Sequence, residues 1–371
     1  MLQPTQISVR QFQILVTLYT VGTSILIMPA ALAANLKQDA WLAPLIAIGP
    51  GLLLVLLYNR INSAAPGATI FELCESILGN WIGRMVSLLI VVFFFLESAM
   101  VLYDVGNFIT TVIMPETPIS FLNFLFAILV ITAIRSGFNT FARMVELLFP
   151  LFILFFLMIV MFLSPQIDFY KAQPFLVLET NNLIYSILMV MSFSFMPLVV
   201  FLVVIPKTLK HPTSGSIGFY KAVLIGGGIS VIVITLTILV LGSNIASLKQ
   251  FPVYYLARKI SVGRFLERVE AMVAIMWLIT TFVKLSLYFF ASVSGLVHIA
   301  RLKSERSVLM PMGFILVILS VDIFPNSVYE AKFNSADWIV SISCVGVILP
   351  LFLLIVKLWK DRNKKKSDNS A

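Results

Sequence analysis

The amino-acid sequence predicts an all-α integral membrane protein of ten transmembrane helices, organised as two five-helix halves of opposite orientation. Three observations carry this. Of 371 residues, 60% are hydrophobic and 12% charged, against about 45–50% and about 25% in soluble domains. Only 17 acidic and 26 basic side chains are present, too few to shield a core of this length from water. Apolar runs recur ten times, each close to the about 20 residues that a helix rising 1.5 Å per residue needs to cross about 30 Å of hydrocarbon. The first run of each half is interrupted in a corresponding place by small or hydroxyl residues followed by proline.

The runs fall at about 10–34, 41–58, 82–111, 118–134, 142–163, 182–205, 220–242, 270–298, 308–324 and 338–358. In the first, Ala30 to Ala34 looks like a signal cleavage site, but the apolar stretch is longer than a signal h-region and only Arg10 charges its flank, so it reads as an uncleaved helix. Residues 62–80 form an inner connection with an amphipathic helix, Thr69 to Leu78. Residues 243–269 form an outer segment containing Phe251-Pro252-Val253-Tyr254 and the mixed run Arg258 to Glu270, either a surface helix capping the bundle or a lid over an outer vestibule. With both termini cytoplasmic, 17 Lys and Arg face inward and 8 outward, with Lys284 inside the membrane, as positive-inside orientation requires. The chain reads as one membrane domain, 1–371: repeat one about 8–163, repeat two about 181–358, and a basic cytoplasmic tail, 359–371.

The net charge of +9 does not indicate nucleic acid. Lys357, Lys360, Arg362, Lys364, Lys365 and Lys366 crowd the end of the last run and read as contact with anionic membrane lipid, and no basic surface is interleaved with aromatics. Cys74 and Cys344 lie far apart, and His211 and His298 fall in or beside inner loops, so neither a disulfide framework nor a metal site is expected. No phosphate loop, zinc helix or hydrolase elbow is present. Ser292-Val293-Ser294-Gly295 only imitates a fragment of the last, inside a helix. Neither an enzyme nor a cofactor is expected.

The interruptions carry the functional argument. Run one holds Gly22-Thr23-Ser24 and then Pro29; run six holds Ser192-Phe193-Ser194-Phe195-Met196 and then Pro197. A spanning helix that loses backbone hydrogen bonds in hydrocarbon must line a cavity or be buried in protein. Interrupted helices in matching places of two halves mark the midplane site of inverted-repeat transporters, where half-helix ends suit a carboxylate and freed carbonyls suit an ammonium. Pro44, Gly49 to Gly51 and Gly226 to Gly228 read as packing devices instead. Glu97 and Lys284 lie near the centres of the third and eighth runs. An ion at such depth costs roughly 2.5–3.5 kcal/mol on insertion scales, so the two are expected to face the interior and pair, directly or through a ligand. Asp104 and Asn107 continue the Glu97 face toward the outside as a path of access. Asp322 and Glu146 read as interfacial.

Ile7-Ser8-Val9-Arg10-Gln11-Phe12, followed by Gly22-Thr23-Ser24-Ile25-Leu26-Ile27-Met28-Pro29, resembles the opening of the GerAB-type spore germination proteins. Leu78-Gly79-Asn80-Trp81-Ile82-Gly83, Phe251-Pro252-Val253-Tyr254 and Phe265-Leu266-Glu267-Arg268-Val269-Glu270 through Trp277 are similar to further landmarks of that family. The resemblance implies a LeuT-like 5+5 inverted repeat with broken helices 1 and 6, in the amino acid, polyamine and organocation transporter superfamily and in the inner membrane of a spore. It also implies the B subunit of a germinant receptor, working with A and C subunits to trigger release of ions and dipicolinate. Carried onto this chain, it places a small amino-acid-like nutrient among Gly22, Thr23, Ser24, Ile25, Ser192, Phe193 and Ser194. Some members have a second glycine where Ser24 stands and an acidic residue where this chain has Pro197-Leu198, so the ligand is expected to differ.

Three functions are compatible with these residues: a nutrient sensor whose ligand shifts a conformational equilibrium, a proton-coupled amino acid transporter using Glu97 with Lys284 in place of a bound cation, and a membrane scaffold with an inactive pocket.

Overall fold

The computed structural model describes residues 6–174, 176–177, 179–209, 212–258 and 268–368, with backbone only at 207–208, 212–214 and 364–368. His211, Lys210, Lys259, Arg264 and Phe265-Leu266-Glu267 lie outside these. The described residues are helical apart from turns, short connections and one isolated parallel bridge, Ile7 to Leu209.

Ser8 caps α1 (Val9–Val21) through a reciprocal box with Gln11. After Gly22 and Thr23, α2 (Ser24–Leu36) continues the first span. A short turn leads to α3 (Leu42–Ala64). The expected amphipathic inner helix is α4 (Ile70–Leu78), boxed by Thr69 and Glu72, which buries Ile70, Phe71, Leu73, Cys74 and Ile77. Gly79, at φ 86°, reverses the chain into α5 (Asn80–Phe108). There a Cβ on Gly83 would stand 2.7 Å from the Cys74 carbonyl oxygen, which explains why glycines flank the Asn80-Trp81-Ile82 landmark. The first half ends with α6 (Ile119–Arg135) and α7 (Phe138–Leu163).

In the second half, α8 (Thr180–Val190) passes into a π-helical turn, Met191–Phe195, then a 3-10 turn, Met196–Val200, and then α9 (Phe201–Thr208). α10 (Pro212–Leu241) follows, with the short helices α11 (Ser243–Leu248) and α12 (Pro252–Arg258). α13 (Glu270–Ile299) precedes α14 (Arg306–Asp322), α15 (Ser327–Ser335), α16 (Asp337–Ser343) and, after a second π turn at Cys344–Ile348, α17 (Leu349–Asp368).

Each of the ten apolar runs is helical, but length and composition support eight spans among the described residues, or nine if α14 and α15 count as one, against the ten expected. α6 has 17 residues, and α15 leaves the axis of α14 by 100°. The sixth span also departs from expectation. Its break is a change of winding and not an unwound loop, because π and 3-10 turns shift hydrogen-bond partners around Pro197 without straightening the chain.

The spans are not equivalent. Most of the first, sixth and eighth is buried inside the protein (83%, 89% and 89%), whereas 22% of the fifth and 28% of the tenth is. The interrupted spans and α13 therefore form the centre, and α7 and α17 face lipid. α13 packs chiefly on α5, and α1 on α10. Small residues permit the closest crossings. Phe195 lies where a Cβ on Gly51 would come within 2.8 Å of its ring, with Gly227 beside it, whereas Gly49 and Gly228 face open space. Of the segment 243–269, α12 buries Pro252, Val253, Leu256 and Ala257, and Phe251 and Tyr254 pack edge-on against Phe108 at 5.1 and 5.6 Å. Its described part is thus packed onto the bundle, as either a cap or a lid requires.

Candidate functional site

Pro197 creates the key acceptor. It has no N–H to return to the carbonyl of Phe193 four residues earlier, and that carbonyl receives the Lys284 ammonium from α13 at 2.9 Å. The same ammonium donates to Thr23 Oγ1 at 3.3 Å and lies 5.8 Å from the centre of the Tyr19 ring. One lysine thus ties the interruption of span one to that of span six.

Gly22 makes room for it. Its φ of 37° suits glycine, and a Cβ there would stand 2.7 Å from Lys284 Cδ and from the Tyr19 carbonyl. Several other carbonyls at or beside the interruptions are served by other side chains. Thr280 donates to Gly22 O at 3.0 Å and Trp277 Nε1 to Thr23 O at 3.5 Å. Ser24 Oγ donates to Val21 O at 2.6 Å, Tyr19 to Pro197 O at 3.0 Å, and Ser192 Oγ to Met189 O at 2.8 Å. Tyr58 shares its single proton between Met196 O at 3.1 Å and Gly346 O at 2.6 Å.

Beside the lysine lies a small cavity of about 30 Å³, lined among others by Thr23, Glu97, Asp104, Phe193, Phe324 and Trp338. Lys284 also lines it. Of the seven residues expected to hold a ligand, Thr23 and Phe193 reach this cavity; Gly22, Ser24, Ile25, Ser192 and Ser194 are buried behind it or build its frame. Ser194 Oγ is buried without a hydrogen-bond partner among the described residues.

Glu97 and Lys284 do meet at one cavity, but no ion pair joins them among the described residues, because the ammonium is turned toward the interrupted backbone. Of the two pairings expected from sequence, direct or through a ligand, the direct contact is not made among the described residues, and both side chains face the same interior cavity. Glu97 is 5% exposed, and no hydrogen bond to it occurs among the described residues. Asp104 lines the cavity one step further along α5, and Asn107 donates to Glu330 of α15 at 3.3 Å. Glu146 lies in the first half of α7, accepting from Gln11 at 2.9 Å and facing Arg10 at 3.5 Å.

Sequence reasoning missed Tyr19, Tyr58, Thr280, Glu330 and Trp338, and had Trp277 as a family landmark with no role at the site. Trp277, Thr280 and Lys284 follow at i, i+3 and i+7, so their shared face around the buried lysine was available as a signal. Glu330 and Trp338 sit beside the bend after α14, where no periodicity links them to α5.

Comparison with known proteins agrees with this architecture. The family model described as "Spore germination protein" matches residues 6–328. Spore germination protein KB of Bacillus subtilis (strain 168) is 29% identical over 372 residues, covering 99% of this chain and 98% of that protein. Spore germination protein XB of Bacillus anthracis is 23% identical, covering 68% and 70%. Among solved structures, Mhp1, a nucleobase-cation-symport-1 family transporter in a closed conformation with bromovinylhydantoin bound, superposes with a TM-score of 0.65 at 12% identity, over 93% of this chain and 78% of that one. At that identity the likeness establishes a shared LeuT-like fold alone. With the family match spanning most of its length, the chain belongs to the spore germination protein family, as a multi-pass membrane protein of transporter-like fold.

Proposed function

We propose that this protein is the nutrient-sensing membrane subunit of a spore germination receptor, binding a small amino-acid-like ligand where spans one and six meet. On this reading it lies in the spore inner membrane with both termini cytoplasmic, built from repeats of about 8–163 and 181–358, and works with A and C subunits. The observation that carries the reading is the Lys284 bridge. It contacts both interrupted spans beside a charged cavity, so a ligand that rearranges those contacts has different affinities for the bridged and released states, as a sensor requires.

The test uses spores of a strain lacking the gene, complemented with wild type or variants and challenged with single nutrients. A nutrient response lost on deletion, restored by wild type and abolished by a bulky change at Thr23 in protein that remains inserted supports sensing. A response indifferent to the gene sinks it. A second reading, a proton-coupled amino acid transporter, draws support from the buried carboxylate of Glu97 and the transporter fold. Accumulation of labelled amino acid in liposomes holding this chain alone under a proton gradient would favour it over sensing.

A further inference from the structure

We infer that the cavity between α5, α13 and α16 reads the cationic head of a small amine, through the Glu97 and Asp104 carboxylates and an aromatic wall, and not through the interrupted backbone. This rests on the reading that the cavity is the ligand site.

The first step is an accounting of backbone acceptors. A ligand's ammonium would ordinarily seek carbonyls freed at helix interruptions. Here the carbonyls of Val21, Gly22, Thr23, Phe193, Met196 and Pro197 each already receive a donor from this chain. At Phe193 that donor is itself an ammonium. The chain's own lysine holds the position a ligand amine would otherwise take.

The second step asks what remains. Glu97 is nine-tenths buried, lines the cavity and has no hydrogen bond or ion pair among the described residues, so it is an acceptor in need of a donor. Asp104 stands beside it on the cavity wall. Every charged group lining the cavity is thereby named: two carboxylates against one ammonium, formally one negative charge in excess. Glu330, next along the path and bonded to Asn107, adds to the same sign.

The third observation is independent of the acids. Phe193, Phe324 and Trp338 line the same cavity, with Phe193 and Trp338 edge to face at 6.1 Å. Carboxylates combined with aromatic faces suit alkylammonium groups, which gain from the ring quadrupole as well as from charge. The size agrees. About 30 Å³ holds one or two waters and so accepts an ammonium head, while the body of the amine has to displace Phe324 and Asn334 at the rim. A net cation is therefore preferred over a zwitterion of the same skeleton, and over an anion.

The experiment uses the purified full chain in lipid nanodiscs. Its thermal stability is followed with alaninamide hydrochloride, methylammonium chloride, L-alanine, sodium propionate, potassium chloride and sodium chloride at matched ionic strength. Alaninamide and methylammonium are expected to raise Tm, L-alanine less, and propionate and the inorganic salts not at all. Glu97→Gln and Trp338→Leu are each expected to weaken alaninamide about tenfold or more, equivalent to about 1.4 kcal/mol. Glu97→Asp, which keeps the charge, retains the order of preference and controls for folding. The inference is overturned if propionate or L-alanine equals alaninamide, if potassium or sodium chloride alone reproduces the shift, if no compound shifts Tm, or if Glu97→Gln leaves the order unchanged. Germination assays report on sensing separately: a nutrient response without this charge preference removes the inference and leaves the sensor, and the converse removes the sensor.

Discussion

At the scale of single residues, the centre of the protein depends on positions where one atom more or less decides the outcome. Gly22→Ala adds a Cβ 2.7 Å from both Lys284 Cδ and the Tyr19 carbonyl, at a φ of 37°. Strain of this kind costs of order 1–3 kcal/mol, so the variant is expected to lower Tm and to lose the Lys284 contacts with Thr23 and Phe193; an unchanged Tm with unchanged ligand response would refute the close approach. Cys74 gives a pH-dependent case outside the membrane spans. Burial is the main cause that pushes its thiol up to about 12, with the Glu75 charge adding to it and a Ser87 hydrogen bond opposing. A raised thiol pKa means that the reactive thiolate is scarce at neutral pH. Alkylation of Cys74 in native protein is therefore expected to stay slow at pH 7 and to accelerate only as pH climbs toward 12, whereas rapid labelling at neutral pH would show that α4 is not seated on the bundle. The residues that mark the site were legible in the sequence as breaches of membrane rules: Glu97 and Lys284 as charges at depth, Gly22 and Pro197 as helix breakers. What the sequence could not show was the partner of each. Lys284 looked like the counter-ion of Glu97, yet a proline-freed carbonyl and a hydroxyl one span away compete for the same ammonium, and such competition is settled by three-dimensional geometry that spacing does not contain.

At the scale of elements, the same proline explains why span six changes winding. Loss of one N–H leaves Phe193 O in need of another donor, and this chain uses a side chain from another span. Pro197→Ala restores an N–H that competes with Lys284. The expected result is a straighter and more stable span, with higher Tm, combined with loss of the ligand response, the trade that stabilised functional sites commonly show. Equal stability with a full response would mean that the bridge has no part in function. The element least legible in sequence is α15. Its apolar content is too low to read as a span and its length too short to read as a loop domain, so Glu330 and the 100° bend went unseen. By contrast α4 was legible as an amphipathic helix, Thr69 to Leu78, because the spacing of Ile70, Phe71, Cys74 and Ile77 is a local signal; the Thr69–Glu72 box that starts it is seen in the structure.

At the scale of the whole molecule, the two sides of the cavity are closed by very different amounts of protein. Toward the end holding the start of α1, a continuous column of buried rings blocks the way: Tyr19 packs on Tyr288 at 5.5 Å and on Phe201 at 5.4 Å, Phe201 on Phe12 at 5.6 Å, and Phe12 on Phe219 at 5.5 Å. α4 closes the same end, held by Lys360 on the Ile77 carbonyl at 2.8 Å and by Arg84 and His298 around Glu75. Toward the opposite end, α12 covers one side through Phe251 and Tyr254 on Phe108, while the wall that lines the cavity itself is Phe324 and Asn334, carried by α15 and the turn before it and pinned by Asn107 on Glu330 and by Tyr185 on the Ser335 carbonyl at 2.8 Å. Opening therefore costs least at α15, because two hydrogen bonds worth about 1 kcal/mol each and a few ring contacts are far less than an interlocked aromatic column. Replacing both pins, Asn107→Ala with Tyr185→Phe, is expected to speed amide hydrogen exchange across 327–335 by about tenfold or more, the factor that a loss of about 1.4 kcal/mol confers, while amides of α13 around Lys284 stay protected. Exchange that rises equally at α15 and along the aromatic column would show instead that both ends open together, and that the cavity is not reached by way of α15.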